Sequence, residues 1–321
     1  MTARRPSALH RAILLLSLAL VILCADRSSA RDASILVELE PHAVAAQDPD
    51  SIRLGQAIAL WARGTIDARH GALAMLDELR TRFWDSAAYH LLRGEAYRDA
   101  NREADARASF RLAAGCDSTA WEARLLLSRS LIDGMLGDLS EDGRAEATRQ
   151  LDAVLRGLAA LSSTRPLSRF EREQEKDARY QKAVLLFHLK RSASLLSEKV
   201  RLTREAIALL DPIMINFPRG VSGEACMLRA MLEVDLDRPR EATTWFNRML
   251  SLLDVKQKSI FRVPLQLNEN EDFRGATDTI ERGAIAEAYW EQFRSDDGEL
   301  IPEQLEYFYN TGLALLYFPD R

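Results

Sequence analysis

A small–large–small triad recurs along this chain and leaves few ways for it to fold. Ala72, Leu76 and Leu79 are followed 34 residues later by Ala106, Phe110 and Ala113. The spacing returns at Ala147, Leu151 and Val154, at Ala206, Leu210 and Ile213, and at Ala242, Phe246 and Met249. Residues three and four apart share one helix face. The alanine lets a neighbouring helix come close, and the large residue fills the interface that results. A unit built this way cannot bury its apolar stripe alone, so it needs its neighbours. Few segments alternate with a period of two, and Ala, Leu, Arg and Glu dominate, so the chain reads as helical.

The triads resemble those of tetratricopeptide repeats. The best match runs from Ala87 to Ala120. Gly94 and Tyr97 stand where the first helix of that motif carries its glycine and aromatic, and Ala106, Phe110 and Ala113 lie on its second helix. Asn101 holds the turn position where glycine is usual, and asparagine tolerates the left-handed conformation. The closing proline is Ser118 here, but Pro218 is present in the fourth unit. Pro239 opens the second helix of the fifth, where a missing N–H costs nothing. The third unit carries about seven extra residues around Gly134 to Gly143, and 162–176 reads as a loop plus a charged helix start. The resemblance implies an all-α, right-handed α-solenoid of TPR-like helix hairpins over residues 52–252. The alternative is a non-repetitive helical bundle.

The ends read differently. Arg4, Arg5 and Arg11 precede an apolar run from Ala12 to Ala25, and Ser28-Ser29-Ala30 offers small residues for cleavage. That is the pattern of a secretory signal peptide over residues 1–30, with 31–51 as an N-terminal linker. An uncleaved membrane anchor is the alternative. Lipid attachment at Cys24 is a third option, disfavoured because Leu23 is not small. Cleavage after Ala30 removes four arginines and Asp26, which takes Lys+Arg from 43 to 39 and Asp+Glu from 48 to 47. The net charge is then about −8, without the basic footprint that nucleic acid requires. The expected location is periplasmic or secreted.

Residues 253–321 change character. Pro264 and mixed polar residues suggest an irregular linker, followed by helices at Ala284–Phe293 and Glu303–Tyr317. Ile285, Ala288, Tyr289 and Phe293 are expected to face inward on the first. Tyr289-Trp290, Asp296-Asp297 and Glu306-Tyr307-Phe308 resemble the leading segment of bacterial GWxTD-domain proteins. The Gly-Trp-x-Thr-Asp motif itself is absent. The resemblance implies that this chain is the front part of a larger exported protein or enzyme, an alternative to a complete scaffold.

Chemistry finds little support. Cys116 and Cys226 lie in helical patterns far apart, which favours two separate buried thiols over a bridge, and neither joins a metal motif. His42, His70, His90 and His188 form no HExxH pair, and His90 reads as a partly buried helix residue. Gly220-Val221-Ser222-Gly223 approaches a nucleophile elbow, but Glu224 takes the last position, so Ser222 reads as a helix N-cap. The acidic turn starting at Asp138 lacks the twelfth-position carboxylate of a calcium loop, because Arg149 stands there. No catalytic residue, cofactor or metal is expected. The expected activity is contact: a protein or peptide partner held on the wall lined by first helices, with Tyr89, Glu95 and Arg98 facing it. The lysine–asparagine clamp that some such repeats use for a peptide carboxylate is missing.

Overall fold

The computed structural model describes residues 49–133, 140–216, 222–253, 261, 267, 271–276, 278–291 and 299–317. The signal-peptide reading, Cys24, His42, residues 134–139 of the third unit's extra stretch, Pro218, Asp296-Asp297 and Phe293 lie outside them. All secondary structure among the described residues is helical. The helices are α1 (Pro49–Ala62), α2 (Ile66–Glu78), α3 (Ala87–Asp99), α4 (Glu103–Cys116), α5 (Trp121–Asp133), α6 (Glu141–Thr164), α7 (Arg169–Ser192), α8 (Leu196–Asn216), α9 (Gly223–Val234), α10 (Pro239–Leu252), α11 (Glu271–Gly275), α12 (Thr279–Glu291) and α13 (Pro302–Tyr317). They pair as consecutive hairpins, α1 with α2, α3 with α4, α7 with α8 and α9 with α10. The chain divides into two compact units, Met1–Ser130 and Leu131–Arg321.

The triads are the packing positions. Ala72, Leu76, Ala106, Phe110, Ala147, Leu151, Ala206, Leu210, Ala242 and Phe246 are all fully buried. Gly94 sits so close to the Phe110 ring that a Cβ there would collide with it. That is the physical reason for a glycine inside a helix, where it otherwise costs about 1 kcal/mol relative to alanine. The three tight turns each place one residue in the left-handed region, two positions before the second helix: Gly64 at φ 71°, Asn101 at 56° and Asp237 at 56°. Glycine, asparagine and aspartate are the residues that accept this.

The second and fifth hairpins stay in register 136 positions apart, or four 34-residue repeats, and share several key residues. Ser86 and Ser222 both cap the first helix, accepting from the N–H groups of Tyr89 and Ala225. Arg93 matches Arg229, Asp99 matches Asp235, Asn101 matches Asp237 and Phe110 matches Phe246. A polar staple recurs with the alanines. Asp77, Asp152 and Asp211 each lie five residues after a triad alanine and pair with Arg93, Lys182 and Arg229 respectively. Each staple ties a second helix to the next helix along.

Three findings depart from the sequence reading. The loop expected within 162–176 shrinks to 165–168, because α6 runs to Thr164, while the charged helix start is α7, beginning at Arg169. Their length, 24 residues each, is nearly double that of the helices in the first two hairpins. A capping box starts α7: Ser168 Oγ accepts from the Glu171 N–H at 3.2 Å, and the Glu171 carboxylate accepts from the Ser168 N–H at 2.7 Å. In the C-terminal segment α11 interrupts the expected linker, and on α12 Ala286, not Ala288, is the buried residue. Ile285 and Tyr289 do face inward, against Leu267 and Phe273. Both described cysteines are free, but only Cys226 is buried, since Cys116 at the end of α4 is exposed.

Candidate functional site

Helix spacing places Tyr89, Arg93 and Tyr97 on one side of α3, and Glu95 and Arg98 on another. The structure separates them accordingly. Tyr89 is 0% exposed, and its hydroxyl donates to the Leu76 carbonyl of α2. Burial pushes that hydroxyl up to about 12. Tyr89 is a packing residue and offers no surface to a partner. The signal for this lay in the sequence: it stands one and two turns before Arg93 and Tyr97, which line the same seam.

That seam is polar and closed. Arg93 Nε donates to Asp77 Oδ1 at 2.8 Å, and Arg93 Nη2 donates to the Tyr97 hydroxyl at 2.7 Å. The Tyr97 hydroxyl donates to the same Asp77 oxygen at 2.6 Å. Arg102 lies over the Tyr97 ring at 4.5 Å. In the fifth hairpin the position of Tyr97 is Glu233, which joins Arg229 at 2.7 Å and Arg238 at 3.4 Å. Either way, an arginine near the first-helix centre is held on both sides, by Asp77 and the Tyr97 hydroxyl in one hairpin and by Asp211 and Glu233 in the other. These groups are fully engaged in holding helices together.

Glu95 and Arg98 lie on the other face. Glu95 is 5% exposed and accepts from Arg98, whose side chain is 37% exposed. Asp99, at the same edge, accepts from Trp61 Nε1 at 3.2 Å and lies 3.5 Å from Arg69. The face therefore carries Leu91, Glu95 and Asp99, with Arg98 beside them.

The 136-residue correspondence puts Met227, Met231 and Asp235 at the positions of Leu91, Glu95 and Asp99. There the face is occupied. Helix α13 packs on α9 and α10, with Gly312 against the two methionines. A Cβ on Gly312 would stand 2.7 Å from Met231 Sδ and 3.2 Å from Met227 Cγ. The Tyr309 hydroxyl donates to Asp235 Oδ1 at 3.1 Å, while Lys190 of α7 holds the other Asp235 oxygen. The Tyr317 hydroxyl meets His188 Nδ1 of α7 at 3.1 Å, and Arg191 lies over the Tyr317 ring at 5.1 Å. Burial, with Arg191 adding to it, pushes His188 down to about 4. Burial lowers Lys190 too, against the pull of Asp235.

The proximal end of α13 is held differently. Phe308 meets the edges of Phe246 at 5.3 Å and Phe261 at 6.0 Å. Trp290 of α12 lies 5.6 Å from Tyr307 and 6.5 Å from Phe308. Tyr289-Trp290 and Tyr307-Phe308 thus meet in space. Sequence reasoning missed the docking of α13. Its apolar and aromatic positions were visible, but not the surface they cover.

Other candidates resolve into structure. His90 is buried, with Nε2 2.8 Å from the Trp84 carbonyl oxygen, and Ser222 caps α9. Among the described residues no group of three or more His, Cys, Asp or Glu is placed to hold a metal ion. No described helix is long and apolar enough to cross a membrane.

No protein-family model matches the chain. No curated protein matches it either. Among solved structures it is similar to the assembly chaperone of RpL4, Acl4 (residues 1–338). The TM-score is 0.50 at 15% identity, over 85% of this chain and 99% of that one. Two crystal structures of MamA align at TM-scores of 0.45 and 0.42. Their identities are 18% and 16%, over 63% and 67% of this chain and 96% and 97% of theirs. The likeness to Acl4 concerns the fold. The chain is an all-α helical-repeat protein built from TPR-like hairpins.

Proposed function

We propose that this chain is a non-enzymatic, exported scaffold of the bacterial cell envelope that holds a helix or peptide of a partner protein on its first-helix face. One observation carries the reading: in the fifth hairpin that face already holds a helix, α13, at positions matching Leu91, Glu95 and Asp99. A surface that accepts one helix against small or flexible side chains and an anchored carboxylate suits recognition. The polar seams are spent on joining helices. The basic start, apolar run and Ser28-Ser29-Ala30 support export, and intact-mass measurement of the exported form tests it through loss of 30 residues.

A photo-crosslinking residue at Arg98 tests the scaffold reading. A discrete adduct should form there and not at Ala108, exposed on α4. Equal adducts at both positions, or none at either, would remove its basis. The meeting of Trp290 with Tyr307 and Phe308 favours a second reading, the front part of a GWxTD-type protein. Reading the gene past codon 321 decides between them.

A further inference from the structure

We infer that the patch formed by Met227, Met231 and Asp235 on α9 and His188 on α7 is a docking site for an amphipathic helix of a partner protein, and that the distal half of α13 is a ligand in cis holding that site. The inference rests on the scaffold reading and names what the partner looks like.

The bound helix reports the specificity. Its contacts fall at Tyr309, Gly312 and Tyr317: an aromatic hydroxyl on Asp235, a small residue against two thioethers, and an aromatic ring between His188 and Arg191. The recognition pattern is aromatic–x2–small–x4–aromatic on one helix stripe. Methionine is unbranched and polarizable and remoulds around different side chains, so Met227 and Met231 suit a surface with more than one occupant.

The two halves of α13 are held unequally. Leu305 and Phe308 are buried, and Phe308 sits among Phe246, Phe261 and Trp290. Beyond Gly312 every residue of α13 keeps some exposure. Lifting the distal half leaves no buried charge alone, because Asp235 keeps Lys190, whose ammonium lies over the Phe187 ring at 4.5 Å. The distal half can leave while Phe308 stays. This favours a partner helix over a second copy of the chain, since exchange of the whole helix between copies would pull Phe308 from its cluster.

The test uses the full chain and a labelled synthetic peptide of residues 300–317. A tethered ligand competes at an effective concentration on the order of millimolar. The wild-type chain should therefore bind the peptide weakly. Gly312→Leu drives a side chain into Met227 and Met231 while favouring helix, so it ejects α13 without altering the patch. It should bind the wild-type peptide at least tenfold more tightly, and adding Asp235→Ala and Met231→Lys should abolish the gain. Tyr309→Ala with Tyr317→Ala releases the same half without added bulk and should give the same gain, which covers misfolding of the leucine variant. Equal peptide binding by wild type and both variants, or none by any, overturns the proposal. So does a dimer that forms by exchange of α13, seen as doubled mass in light scattering. If the peptide result fails while the Arg98 adduct persists, the scaffold reading survives and only this site falls.

Discussion

Gly94 has no side chain, and the Phe110 ring occupies the place where one would be. Gly94→Ala removes the helix penalty of about 1 kcal/mol but pushes a methyl into a fully buried ring, where overpacking costs about 1–3 kcal/mol. We expect net destabilisation of up to about 2 kcal/mol in urea melts. An unchanged or raised midpoint would show that Phe110 can move aside. Arg229 gives the electrostatic counterpart. Its guanidinium joins Asp211 and Glu233, and Glu233 is 1% exposed. Arg229→Met strands a buried carboxylate beside Arg238 alone, and loss of one partner of such a pair costs about 3 kcal/mol. Glu233→Leu in the same chain should recover part of that loss; no recovery would mean Arg229 acts by packing on Trp245, which it overlies at 5.7 Å. Single residues were legible where size alone decides, as at Ala106 and Phe110. They were not where a neighbour decides. Tyr89 and Glu95 lie on different sides of α3, and only the packed structure shows that both are buried, leaving Arg98 as the partly exposed one of the three.

Helix lengths follow local signals that compete with composition. The run from Ser162 to Lys176 is charged and contains Pro166, so it reads as a loop followed by a charged helix start, with no sharp boundary. Yet Ser168 and Glu171 form a reciprocal cap, and Arg165 pairs with Glu171 at 2.5 Å, so α7 starts early. The box was visible in the sequence as Ser-x-x-Glu; what hid it was the absence of an apolar run behind it, because the buried face of α7 begins with Gln174 and Ala178. Ser168→Ala should cost about 1 kcal/mol and shorten α7 by about one turn, read as faster amide exchange at 169–172. The hydrogen bonds from Arg165 and Ser168 hold the Glu171 carboxyl down at about 2 from its ordinary 4.5. Its contribution is therefore complete above pH 4.5 and is lost as pH falls toward 2. Arg165→Ala, which removes the largest of those bonds, should flatten the acid dependence of exchange at the start of α7 over that interval; an identical acid profile in both chains would count against the Arg165–Glu171 pairing.

In the unit from Leu131 to Arg321, α7, α9 and α13 meet around one histidine. His188 touches the Tyr317 hydroxyl, stands near Arg191 and follows Lys190 and Asp235 around the same edge. Its folded value of about 4 lies below the ordinary 6.5. A state with α13 released exposes the ring, so that state binds more protons between pH 6.5 and 4. The docked arrangement is thus favoured in full above pH 6.5 and loses ground as pH falls toward 4. Amide exchange of 309–317, corrected for intrinsic rates, should accelerate on going from pH 7 to pH 5 by more than ten-fold relative to α9. His188→Phe keeps the ring and removes the proton site, and it should erase that difference. If exchange of 309–317 follows α9 at both pH values, α13 is a fixed part of the unit. The peptide of residues 300–317 would then find no patch to occupy, and the two experiments would fail together.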